Sequence, residues 1–153
     1  MSILYVEVIG LRSTIVGIHL IGLIVFTCTE SLSLLLTDYE VSFRFNPHPD
    51  GSSFFQNDLM NVSDPNYLSQ KLGHVLFFFL LAYLGYWAWK SLGLVMMVSL
   101  AAALSTEVAQ LYFTRSGRLL DVGLDLAGML LFITLLFFYR FIKRSHQDVE
   151  MQW

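Results

Sequence analysis

The residues able to do chemistry crowd into residues 107–128, EVAQLYFTRSGRLLDVGLDLAG, a stretch flanked by apolar runs. It carries Glu107, Gln110, Arg115, Arg118, Asp121 and Asp125. Charge close to hydrocarbon is costly, so such residues face a bundle interior or a wet cavity and mark function. Glu107 and Asp121 have the chemistry of a general acid and base, and His74, from another apolar run, that of their proton partner. Lys71 and Arg115 could clamp an anion, with Gln110, Arg118 and Asp125 completing a polar lining. Glu30, in the outer half of the first apolar run, points to the same end and is a further candidate for the binding site.

Other chemistries lack their residues. No G-x-S-x-G, Gly-rich phosphate loop or cysteine nucleophile pattern occurs. The single cysteine, Cys28, reads as a small buried apolar residue. A histidine among several acids could hold a divalent metal, but no H-E-x-x-H or comparable spacing is present, so neither a metal nor a cofactor is expected. His48, between two prolines, has no ligand partner at a recognisable spacing.

The elements that must position these groups are membrane helices. Of 153 residues, 56% are hydrophobic and 14% charged, and mean hydropathy is +0.61. Soluble chains run about 45–50% apolar and about 25% charged. A net charge of -3 without a basic, aromatic-interleaved patch gives nucleic acid no footing. The fold expected is all-α, an integral membrane four-helix bundle forming one membrane domain over residues 1–153. Its spans fall at about 15–36, 72–89, 92–113 and 119–141, lengths that suit a hydrocarbon core of ~30 Å. The first run is longer than the ~7–15 residues of a signal-peptide core and lacks its small-residue cleavage pattern, so it reads as a span.

Residues 37–70 are polar and turn-rich around NPHPDGSS and are expected to form a long extracytoplasmic loop capping the site. Asp64-Pro65 is a helix start, with Asp as N-cap and Pro at the first helical position. The second span closes on a Tyr-Trp-Ala-Trp-Lys belt suited to the membrane interface. In the third span, Leu100, Leu104, Val108 and Leu111 form a lipid stripe, while Ser99, Ala103, Thr106, Glu107 and Gln110 turn inward. Ala101, Ser105 and Ala109, four apart, offer a seam for close helix packing. In the fourth span, Asp121, Asp125, Gly128 and Phe132 share a face, with the acids at the positive end of the helix dipole.

Arg140, Lys143 and Arg144 put residues 142–153 in a cytoplasmic tail, which with four spans makes both termini cytoplasmic. An up-down bundle then gathers Lys71, His74, Glu107, Gln110, Arg115, Arg118, Asp121 and Asp125 at one membrane face, whichever way the chain is oriented. Near-cancelling charges of this kind can be held in a partly dry cavity.

Lys71-x-x-His74, Glu107-x-x-Gln110, the Arg-Ser-Gly turn of residues 115–117 and Asp121-x-x-x-Asp125-x-x-Gly128, in this order, resemble the VanZ-like family of small bacterial membrane proteins. The likeness covers residues 70–141. Departures are Gln70 where the family usually has Asp, Phe113-Thr114 where it often has Pro-Gly, and Asp125 where Asn is common. The resemblance implies a multi-pass protein of the bacterial cytoplasmic membrane that contributes to glycopeptide resistance of the teicoplanin type. A half-apolar, half-charged pocket would take a lipid-linked cell-wall precursor, a phospholipid or a lipoglycopeptide. Two other readings stand beside it. One is a charge network that only fixes helix packing. The other is a small proton-coupled carrier, against which four spans without a broken helix argue.

Overall fold

A computed structural model describes residues 3–57, 60, 63–113 and 115–150. Thr114 of the short third loop, residues 58, 59, 61 and 62 of the long one and residues 151–153 of the tail lie outside it. The chain runs α1 (Ile3–Cys28), α2 (Leu32–Thr37), a 3-10 turn (Gly51–Phe55), α3 (Pro65–Trp89), α4 (Leu92–Tyr112) and α5 (Leu119–Glu150). No strand occurs among the described residues. Four helices, α1, α3, α4 and α5, are long and apolar enough to cross a membrane. The architecture is therefore the expected all-α membrane bundle.

Local chemistry explains most boundaries. Helix α3 begins at Pro65, whose missing N–H costs nothing in a first turn, and Leu68 N–H bonds back to the Asp64 carbonyl at 3.0 Å. Lys90 takes a left-handed φ of 55° to turn the chain sharply between α3 and α4. Ser91 then caps α4, its side chain accepting from Leu94 N–H. Helix α5 carries Asp121 in its first turn, where the dipole favours an acid.

The first helix differs from the expected span at 15–36. It starts earlier, at Ile3, and ends earlier, at Cys28. Hydroxyl side chains compete with the helical ladder here. Thr27 Oγ1 donates to the Leu23 carbonyl at 2.9 Å. Beyond it, Thr29 Oγ1 and Glu30 N–H both turn to the Ser42 carbonyl, at 3.3 and 2.9 Å. Residues 32–37 restart as the separate helix α2, capped by Ser31. Glu30 consequently sits at an exposed bend and not inside a span.

The core joins Val16 and Leu23 of α1, Phe78, Leu81 and Ala88 of α3, Ala103 of α4 and Val122 of α5. A second cluster, Ala82, Val95, Met129 and Phe132, extends it between α3, α4 and α5. Gly128 lets α3 and α5 touch backbone to backbone: a Cβ there would lie 2.1 Å from the Val75 carbonyl oxygen. The facing of α4 follows its spacing. Ser99, Ala103, Thr106, Glu107 and Gln110 are buried, and Leu100, Leu104 and Val108 are exposed. Leu111 is half-buried instead. The small-residue seam does not pack as expected. Ala101 and Ser105 are exposed, and with Ala109 they line an apolar groove of about 460 Å³ between α1 and α4.

Cations and aromatic rings gather at the end of the bundle where α3 meets α4. Arg12 lies 4.7 Å above the Trp87 ring, Lys90 and Arg140 lie over Tyr86, and Arg140 also donates to the Tyr86 hydroxyl. Trp89 Nε1 donates to Ser13 Oγ at 3.1 Å. At the opposite end, the segment after α2 lies against α4. Asn46 N–H bonds to the Tyr112 carbonyl at 2.7 Å, Phe43 and Phe45 meet Phe113, and Phe54 packs on the core. Phe55 points outward.

Candidate functional site

The first three turns of α3 and the first two of α5 form a two-rung ladder. Lys71 and His74 are three apart on α3, and Asp121 and Asp125 are four apart on α5, spacings that put each pair on one helix face. The outer rung is Lys71 Nζ to Asp121 Oδ1, 2.6 Å, with side chains 12% and 5% exposed. The inner rung is His74 Nδ1 to Asp125 Oδ1, 2.8 Å, with Asp125 fully buried. Gly128 continues the α5 stripe below them, and the close approach it permits draws both rungs tight.

Helix α4 supplies the third side. Glu107 is fully buried, and its Oε1 lies 3.7 Å from the same His74 nitrogen. That oxygen accepts from Gln110 Nε2 at 2.9 Å. Its other oxygen accepts Arg118 N–H at 2.8 Å. Glu107 therefore holds the residue that opens α5. The loop can fold back this far because residue 117 is glycine: a Cβ would lie 1.9 Å from the Glu107 carbonyl oxygen. Arg115 N–H bonds to the Gln110 carbonyl at 3.0 Å, and its guanidinium reaches the Glu30 carbonyl at 3.4 Å.

Eight of the nine residues singled out from the sequence come together through side chains or through this loop. Glu30 joins differently. Its backbone carbonyl meets Arg115, while its carboxylate lies 3.8 Å from Arg44 in an exposed pair. Such a pair is screened and contributes little.

Above the ladder lies a cavity of about 640 Å³. Lys71, His74, Gln110, Arg115, Arg118 and Asp121 form its polar wall, and Leu23, Phe26 and Phe77 its apolar one. Ser53 of the 3-10 turn borders it, so the segment after α2 does reach the site. Tyr67, which is not among the residues singled out above, belongs here too. It precedes Lys71 by one helical turn, the spacing that would have revealed it, and its ring lies 4.7 Å from the Lys71 ammonium. Its buried hydroxyl has no hydrogen-bond partner among the described residues, and it lines the cavity.

Below the cavity, His74, Glu107 and Asp125 each offer a donor atom, and the three lie within 4.8 Å of one another. Metal-ligand spacing along the chain could not show this grouping, because each residue comes from a different helix. Two carboxylates gathered at one imidazole nitrogen can also orient a proton carrier.

The family described as VanZ/LLP1 matches residues 13–142. A curated relative, the uncharacterized membrane protein YwnJ of Bacillus subtilis (strain 168), is 40% identical over 125 residues, covering 80% of this chain and 85% of that protein. No solved structure matches the chain.

Proposed function

The chain is a multi-pass membrane protein of the VanZ/LLP1 family, and on that premise we propose that its rim cavity binds the anionic headgroup of a lipid-linked wall component or lipid. One observation carries the reading: a single cavity of about 640 Å³ joins a wall bearing Lys71, Arg115 and Arg118 to a wall of Leu23, Phe26 and Phe77. A phosphate-bearing headgroup suits the first wall and the root of its hydrocarbon stem the second. Arg115, Arg118 and Lys71 supply positive charge, Gln110 and the backbone of Glu30 fix the rim, and Asp125 orients His74. Glu107, Asp121 and His74 are the groups placed for acid–base chemistry on a bound ligand. In the cell this binding contributes to glycopeptide resistance of the teicoplanin type.

Orientation belongs to the same proposal. Arg12, Lys90 and Arg140 share the aromatic end of the bundle, which supports placing that end and both termini in the cytoplasm and the cavity outside, in a bacterial cytoplasmic membrane. A reporter enzyme active only in the cytoplasm, fused after Trp153, should be active.

The binding test uses the full chain in nanodiscs with a polyprenyl phosphate and the matching uncharged polyprenol. The phosphate should bind at least tenfold more tightly, and Arg115→Gln should remove most of that difference. Equal affinity for both would sink the reading. Glu107→Gln at normal abundance should lose protection in a teicoplanin susceptibility assay. Full protection by that variant would remove Glu107 from the mechanism. A purely structural role has one observation in its favour, since Lys71 and His74 already have acidic partners. It predicts lost abundance, not lost binding.

A further inference from the structure

We propose that His74, Glu107 and Asp125 bind one divalent first-row cation of the zinc or manganese class at the floor of the cavity. The first reason is charge. Among the described residues, Asp121 pairs with Lys71, and the ion pairs of Glu107 and Asp125 are both with His74. Two fully buried carboxylates thus share one imidazole. With both carboxylates ionised and that imidazole protonated, the three groups carry one net negative charge, which a low-dielectric interior relieves either by protonating a carboxyl or by taking up a cation. A dication beside a neutral imidazole brings the sum to zero.

The second reason is a buried atom. Asp125 is completely excluded from solvent, its Oδ1 takes the His74 contact, and its Oδ2 has no hydrogen-bond partner among the described residues. Native interiors leave few such atoms, and an ion is one of the standard explanations.

Geometry agrees with both. Separations of 2.8 and 3.7 Å between His74 Nδ1 and the two carboxylates bracket the spacing of donors that share a metal at bond lengths of about 2.0–2.2 Å. Gln110 and the Arg118 N–H already hold Glu107 from behind, as outer partners hold a metal-binding carboxylate. One imidazole and two carboxylates, with no thiolate, select zinc, manganese or ferrous iron over softer ions. Three protein ligands leave coordination positions free, and His74 borders the cavity, so those positions face whatever the cavity holds. The site stands on the triad alone and does not require the lipid reading.

The test uses the full chain in nanodiscs, freed of any affinity tag and stripped with a chelator. Titration with Co²⁺, followed by its visible absorption, and with Zn²⁺, followed by calorimetry, should show one equivalent per chain. Loss of an outer partner alone can cost roughly 10–100-fold in metal affinity, so Asp125→Asn and His74→Gln, each removing a direct ligand, should weaken binding by roughly 100-fold or more, while Asp38→Asn, on the exposed segment after α2, should not. If either variant fails to fold, the otherwise unaltered chain decides. Pulsed electron paramagnetic resonance on bound Mn²⁺ should show coupling to one imidazole nitrogen, with His48→Gln/His146→Gln removing surface histidines. No uptake of Zn²⁺, Mn²⁺ or Co²⁺ by the folded protein, unchanged affinity in folded Asp125→Asn and His74→Gln, or bound Mn²⁺ without a coupled nitrogen would each overturn the proposal.

Discussion

Breaking the outer rung tests whether the ladder is a fastening or a working part. Lys71 Nζ and Asp121 Oδ1 are 2.6 Å apart and almost wholly shielded from solvent. At an effective dielectric of ~20, that separation corresponds to about 6 kcal/mol of gross attraction. Desolvating the two ions offsets most of it, so the pair's net worth is small. Removing one partner is another matter, because the survivor keeps its desolvation cost without its attraction. Lys71→Met or Asp121→Asn should each cost about 3–5 kcal/mol. For a chain of this length a loss of 1 kcal/mol lowers the melting temperature by about 2–4 °C, so each single variant should melt roughly 10 °C lower in detergent. The double variant Lys71→Met/Asp121→Leu leaves no stranded charge and should return to within about 2 kcal/mol of the parent. Thermal unfolding of all four proteins closes the cycle. If the singles cost less than about 1 kcal/mol, or the double costs their sum, the buried-pair reasoning fails. Ligand binding by the double variant then separates the roles. Restored stability with lost phosphate-lipid affinity marks Lys71 as a working cation, and restoration of both marks it as a fastening.

Three further outcomes follow from the geometry. Gly128→Ala would place its Cβ 2.1 Å from the Val75 carbonyl oxygen, so α5 must move away from α3 at a cost of about 1–3 kcal/mol. Thermal unfolding would show it, and a melting temperature equal to the parent's would refute the close approach. Gly117→Ala puts a Cβ 1.9 Å from the Glu107 carbonyl oxygen and should pull Arg118 N–H off the carboxylate, costing about 1.5–3 kcal/mol. Hydrogen exchange at Arg118 should accelerate, and unchanged protection would count against the contact. Glu30→Gln touches only an exposed pair with Arg44 and should shift stability by less than about 1 kcal/mol. A larger fall in melting temperature would mean that its carboxylate serves the site after all.

Much of this arrangement was legible along the chain because period and hydropathy are local. The four membrane helices and the Pro65 start of α3 follow from the identity of neighbouring residues, as does the inward facing of Ser99, Ala103, Thr106, Glu107 and Gln110. So does the meeting of α3, α4 and α5 polar groups at one end, since an antiparallel bundle leaves no other place for them. The end of α1 was not legible. An apolar run through Leu36 gives no local reason to stop, and the reason is the distant Ser42 carbonyl, which takes the Thr29 hydroxyl and the Glu30 N–H.

Pairing was decided only in three dimensions. Nothing in the order of residues says that Lys71 takes Asp121 while His74 takes Asp125 and shares Glu107. That follows from the depth at which α3 and α5 lock, and the depth is set where Gly128 meets the Val75 carbonyl. Donor atoms on three separate helices have no spacing along the chain, so the grouping of His74, Glu107 and Asp125 exists only once the helices pack. The sequence by itself determined which residues carry charge into the membrane and to which end. Tertiary packing determined which of those charges are matched, and which two carboxylates are left with one imidazole between them, because matching depends on distances of a few ångströms that only helix contact sets.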